Sequence, residues 1–161
     1  MYTVAALRDV HTRCHQSLDG FLTHAASIES DALARELEGF GYPTILQQFH
    51  HVVGAEQYWL GVVRGEMLVD EDEADFASVE AVRAFADRTR ATTRAWFDAT
   101  NDDDVNRVRA MTTWGDKQVE LAPAHVVLRT QTHLFQHLGQ VAAMCRVVGK
   151  PIPAGLDFPI R

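Results

Sequence analysis

Four long segments of this chain place apolar residues at intervals of three and four, the period at which side chains share one face of an α-helix. From Val4 to Ala26 that face carries Val4, Leu7, Val10, Cys14, Leu18, Phe21, Leu22 and Ala25. A second segment opens at Pro43, a residue suited to a first helical turn because its missing N–H costs nothing there. It runs through Ile45, Leu46, Phe49, Val52, Val53, Glu56, Trp59, Leu60 and Val63 to a stop at Gly65. The third begins after Ser78, a good N-cap, although Ala81 three residues on leaves no capping box. It carries Val79, Val82, Phe85, Ala86, Thr89, Thr93, Trp96 and Phe97 and ends near Thr100 and Asn101. The fourth starts at Pro123 and runs to about Val148, where Gly149 caps it and Pro151 prevents continuation. Helices of such similar length, each with one apolar stripe, bury those stripes best against one another. The expected fold is therefore all-α, a four-helix bundle with antiparallel neighbours.

The connections add detail. Ser27 to Tyr42 is a connector in which Ser30–Leu37 suggests a short helix ended by Gly39 and Gly41. Val69 to Asp75 is acidic and reads as a solvated loop. Between Asn106 and Leu121 the period changes to two: Val108, Ala110, Thr112 and Trp114 alternate up to Gly115-Asp116, and Val119 and Leu121 alternate after it. That pattern predicts a small β-hairpin between the third and fourth helices. The connectors are long enough for a crossover, so spacing alone leaves the order of the helices open.

A chain of 161 residues suits a single domain, 1–161, with one core. Its 22 acidic against 15 basic residues give a formal net charge of −7. Such a surface repels phosphate backbones and anionic lipid, so neither nucleic acid nor membrane is an expected partner. No apolar run approaches the roughly 20 residues needed to span a bilayer. The N-terminus lacks the basic lead and apolar stretch of a signal peptide, so a cytoplasmic location is expected. Cys14 and Cys145 are far apart and outside any C-x-x-C spacing, which suits two buried thiols in a reducing compartment.

Histidine is the residue that the fold class does not account for. The eight fall as His11, His15 and His24, the doublet His50-His51, and His125, His133 and His137. His133 and His137 are four apart on the fourth helix, on one face at the edge of its apolar stripe. Two imidazoles so placed can converge on one ion. Spacing alone is weak, because random placement gives about 0.4 such pairs in a chain of this composition. The pair His11 and His15 has the same spacing in this chain. A third ligand from the doublet strengthens the case, but consecutive helical residues point about 100° apart, and periodicity does not choose between His50 and His51. Glu56 lies about 140° round the helix from His51, which argues against a ligand and for a solvated carboxylate or, less favoured, an acceptor behind the ligands. Trp59, Trp96 and Trp114 read as core or interface aromatics rather than a cofactor box. No phosphate-binding loop, nucleophile elbow or dinucleotide fingerprint is present in the sequence.

His50-His51-Val52-Val53-Gly54-Ala55-Glu56-Gln57-Tyr58-Trp59-Leu60-Gly61 resembles the second helix of the DinB/YfiT-like family, the damage-inducible metal-binding bundles unrelated to the DNA polymerase of that name. His133-Leu134-Phe135-Gln136-His137-Leu138-Gly139-Gln140 is similar to that family's H-x-x-x-H-R-G-Q motif. Trp114-Gly115 in the hairpin and the ending Val148 to Phe158 fit the same frame, so the resemblance spans nearly the whole chain. It implies an up-down-down-up four-helix bundle, often a homodimer. It also implies a divalent metal site made of His51, His133 and His137. Two positions depart from the pattern. Leu138 stands where arginine is usual, and Arg129 where many members carry another histidine.

Three histidines leave a fourth position open on zinc, and more on nickel, manganese or iron, with zinc or nickel the expected ion. Some relatives of the family look like thiol S-transferases that use bacillithiol, mycothiol or glutathione. The resemblance therefore implies a metal-dependent thiol transferase or related detoxifying enzyme, with a low-molecular-weight thiol and a small electrophile as reactants. The alternative is a non-catalytic, stress-associated metal-binding or dimeric binding module. Histidine identity does not separate the two.

Overall fold

In the computed structural model, which describes residues 1–66 and 72–160, the four amphipathic segments are helices: α1 (Val4–Ala25), α3 (Ile45–Arg64), α4 (Val79–Ala99) and α6 (Pro123–Val147). Between them lie the short helices α2 (Ser30–Leu33) and α5 (Asp102–Asn106) and an antiparallel hairpin of β1 (Arg109–Thr113) and β2 (Lys117–Leu121). Helix α1 packs against α4 and α6, and so does α3, which leaves α1 and α3 on a diagonal. Cross-bundle contacts fix the directions. Arg8 near the start of α1 pairs with Asp98 near the end of α4, and His24 near the end of α1 donates to the Lys150 carbonyl just past α6. At the end of α3, Tyr58 and Val62 pack with Val126 at the start of α6, while Glu56 meets Thr93 of the co-directional α4. The bundle therefore runs up-down-down-up.

Local chemistry explains the helix ends. Helix α3 starts two residues later than Pro43 because Thr44, not proline, is the cap. The Thr44 hydroxyl accepts from the Gln47 amide and the Gln47 side chain accepts from the Thr44 amide, a complete capping box. At the other end Gly65 takes φ 71°, and the Glu66 and Gly65 amides turn back to the Gly61 and Val62 carbonyls. Ser78 caps α4 through the Ala81 amide.

Three features differ from the sequence expectation. Helix α5 occupies Asp102–Asn106, capped by Asn101, where the periodic signal is too short to show one. The short helix after Ser30 stops at Leu33. Part of the expected acidic loop, residues 69–71, lies outside the described residues, and Glu73–Phe76 forms a 3-10 turn that buries Phe76. The main core combines α1, α3, α4 and α6 around Leu18, Leu22, Phe49, Val82, Phe85 and Leu138. Cys145 is part of it, and both cysteines are buried free thiols. No helix among the described residues is long and apolar enough to cross a membrane.

Candidate metal centre

Helices α3 and α6 pack antiparallel, and their contact brings His51, His133 and His137 together, with one nitrogen of each within 4.8 Å of the others. The Nε2 atoms of His51 and His133 are 3.2 Å apart. That is close to the separation of about 3.3 Å expected for two ligands of a tetrahedral ion with metal–nitrogen bonds of about 2.0–2.1 Å. His50, the other member of the doublet, points to a different side of α3, where its ring lies against Phe76 and Phe85. Periodicity leaves this choice open and the resemblance favours His51; the packing of α3 against α6 brings His51, and not His50, beside His133 and His137.

The protonation chemistry suits coordination. His137 Nδ1 lies 2.6 Å from Gln48 Oε1. The Gln48 amide nitrogen donates to the Tyr42 carbonyl and to Gln140 Oε1, so its oxygen is the acceptor and His137 carries its proton on Nδ1. The Nε2 lone pair of His137 is thereby left free, the tautomer a metal ligand needs. All three imidazoles are held neutral. Burial is the first cause in each. His51 is lowered to about 4, with the neighbouring His137, His133 and His50 adding to burial, His133 is lowered further by Arg129, and His137 by His133. Tyr42 stacks on the His51 ring at 3.9 Å between centroids and fixes its plane. These residues fit a divalent ion.

The triad borders open space. A cavity of about 560 Å³ is lined by His51 and His133 together with Tyr58, Trp59, Trp114 and Arg129. His137 sits behind them, buried. Trp59, half-buried against the small core around Tyr58 and Val62, and Trp114, whose side chain is exposed, both line the cavity. Leu138, in the place of the family's arginine, is buried in the core.

A second histidine group is buried on the other side of α3. Glu56 is not solvated as the sequence suggested, because it points across the bundle to the diagonal helix α1. His11 Nε2 donates to its Oε1 at 2.9 Å, His15 Nε2 to its Oε2 at 2.8 Å, and Thr93 Oγ1 to its Oε1 at 2.7 Å. Burial alone would raise the Glu56 carboxyl, but His15 and His11 outweigh it and hold the group well below the carboxylate range. The spacing of His11, His15 and Glu56 would admit an ion. Arg90 argues against one. Its Nε–H donates to His15 Nδ1 at 3.2 Å, so the His15 proton is on Nε2, the atom a metal would need bare. This group is a hydrogen-bonded core cluster that ties α1 to α3. Its signal in the sequence was a carboxylate among apolar residues of α3 and an i,i+4 histidine pair on the buried face of α1. Only the bundle topology joins them.

Comparison with known proteins agrees with this architecture. A crystal structure of a DinB-like protein from Bacillus cereus ATCC 10987 superposes with a TM-score of 0.69 at 17% sequence identity, covering 96% of this chain and 99% of that one. That likeness concerns the fold. No curated protein matches the chain. The profile of the DinB superfamily matches residues 13–141, a span that holds His51, His133, His137 and all of α3 and α4. With most of its length matched and the bundle in place, the chain belongs to the DinB superfamily.

Proposed function

We propose that His51, His133 and His137 hold one divalent ion, zinc or nickel ahead of manganese or iron, and that the protein transfers a small thiol to an electrophile at that site. The observation that carries this reading is a set of three neutral imidazoles beside an open cavity, with a free Nε2 lone pair fixed on His137. A divalent ion on three such ligands keeps a position for a thiol and favours its thiolate form. The chain's own residues prepare for this. Gln48 holds the His137 proton away from the site, and Tyr42 orients His51. The cavity wall of Tyr58, Trp59 and Trp114 gives an apolar second reactant a surface to lie on. In the transfer the thiol loses its proton to solvent. Its sulfur forms a bond to carbon with a lone pair, and the leaving group departs with the electron pair of the bond that breaks.

The test has two stages. Metal analysis of the purified protein should find about one ion per chain, and His51→Ala, His133→Ala and His137→Ala should each lower the content sharply. Turnover of electrophiles with bacillithiol, mycothiol or glutathione should then depend on all three histidines. Metal binding without thiol-dependent turnover across the four metals and a broad electrophile panel would leave a non-catalytic metal-binding bundle.

A further inference from the structure

Arg129 is the one lysine or arginine among the described residues that line the cavity. It stands one helical turn before His133 on α6, and its guanidinium lies over the Trp59 ring, 4.7 Å from the centroid. That contact holds the side chain against the cavity wall without using its N–H groups. Among the described residues the guanidinium has no ion pair and no hydrogen-bond acceptor, although the side chain is exposed and five donors are available. The one acidic residue among the described lining residues, Glu73, accepts from Gln47. The other walls are aromatic. Tyr58 and Trp114 stack at 4.8 Å and 12°, and the Trp114 amide donates to the Tyr58 hydroxyl, so the exposed Trp114 ring is held flat over the buried Tyr58 ring.

We propose that Arg129 anchors the acidic group of the second reactant, and that the cavity takes a small organic carboxylate with a planar apolar body. A guanidinium fork pairs with carboxylate in a bidentate fashion, and a flat body suits the aromatic face better than a branched one. Arg129 and His133 lie one helical turn apart on α6 and line the same cavity, which places the anchored group beside the triad. The inference rests on the thiol-transfer reading only for the role of the bound molecule, since it names the class of the electrophile. Binding itself requires neither thiol nor turnover.

The test is calorimetric titration of the full chain, metal-free and zinc-loaded, with benzoate, cinnamate and naphthoate, each paired with its neutral amide. In the metal-free protein the carboxylates should bind about tenfold more tightly than the amides. Arg129→Gln should abolish that preference while leaving amide binding within about twofold, and Arg129→Lys should restore part of it. Equal affinity for acid and amide in the native protein would overturn the anchor. So would an acid preference that survives Arg129→Gln, because that would assign the carboxylate to another group. Carboxylate binding that needs Arg129, found together with an absence of thiol-dependent turnover, would sink the transfer reaction and leave the anchor standing.

Discussion

Gln48 shows how one side chain sets the chemistry of another. It is fully buried, it is held by the Tyr42 carbonyl and Gln140, and it presents only its oxygen to His137. Gln48→Leu keeps the shape but frees His137 to adopt either tautomer. Metal affinity should fall about 10- to 100-fold, the usual effect of losing a ligand's supporting partner. Competitive titration against a chromophoric chelator measures this, and unchanged affinity would show that Gln48 has no hold on the site. His11→Ala and His15→Ala should leave metal content unchanged, since their proton donors are committed to Glu56. Their cost is to the fold. Glu56→Ala leaves both imidazoles and the Thr93 hydroxyl without their acceptor and should destabilise the protein by about 3 kcal/mol in denaturant unfolding. The cysteines are quiet by comparison. Burial pushes Cys14 up to about 12, with Glu56 adding to it, and Cys145 up to about 11, so neither should react with a thiol reagent until the protein unfolds.

The helices were legible because their patterns are long and their ends carry local signals. Gly65, Ser78, Pro123 and Gly149 mark boundaries that the structure keeps within a residue or so. Pro43 is the conspicuous start signal for α3 in the sequence, whereas the side chains of Thr44 and Gln47 do the capping. Thr44→Ala should therefore cost about 1 kcal/mol, seen as a lowered thermal midpoint with little change in helix content. The hairpin was visible as a change of period, and α5 was hidden because five residues hold barely more than one turn. The site was legible in pieces. The i,i+4 spacing gave His133 and His137, but the choice between His50 and His51 depends on which face of α3 meets α6, a tertiary fact. The burial of Glu56 is hidden for the same reason, since its histidine partners lie on a diagonal helix 41 and 45 residues away in sequence.

At the scale of the whole molecule the bundle has a core that does not need an ion. The main cluster of apolar side chains draws on all four long helices and stands apart from the histidine triad. Chelation should leave the far-ultraviolet circular dichroism spectrum intact, and global unfolding on metal removal would identify a structural ion instead. The metal-free protein should also lose stability as pH falls, with a defined sign. His11, His51, His133 and His137 are lowered from 6.5, so below that pH the unfolded chain takes up protons that the fold refuses. Glu56 acts in the same direction at lower pH. Its folded carboxyl stays ionised below 4.5, where the unfolded one protonates, so its contribution is present above that value and is lost as pH falls toward its folded one. Thermal midpoints should be nearly level above about pH 6.5 and decline steadily below it. A midpoint that rises on acidification would contradict the burial of these groups.

Helix α3 faces two ways at once: His51 meets α6 at the histidine triad, and five residues later Glu56 meets α1 through the core. Each attachment fixes the rotation of the helix about its own axis, so the spacing between them is a matter of reading frame along the helix. Inserting or deleting one residue between positions 51 and 56 turns one attachment by about 100° relative to the other. The protein would then have to choose between assembling its triad and closing its core. Length variation in this segment should therefore be rejected even where substitutions at the half-buried Gly54 and Ala55 are accepted.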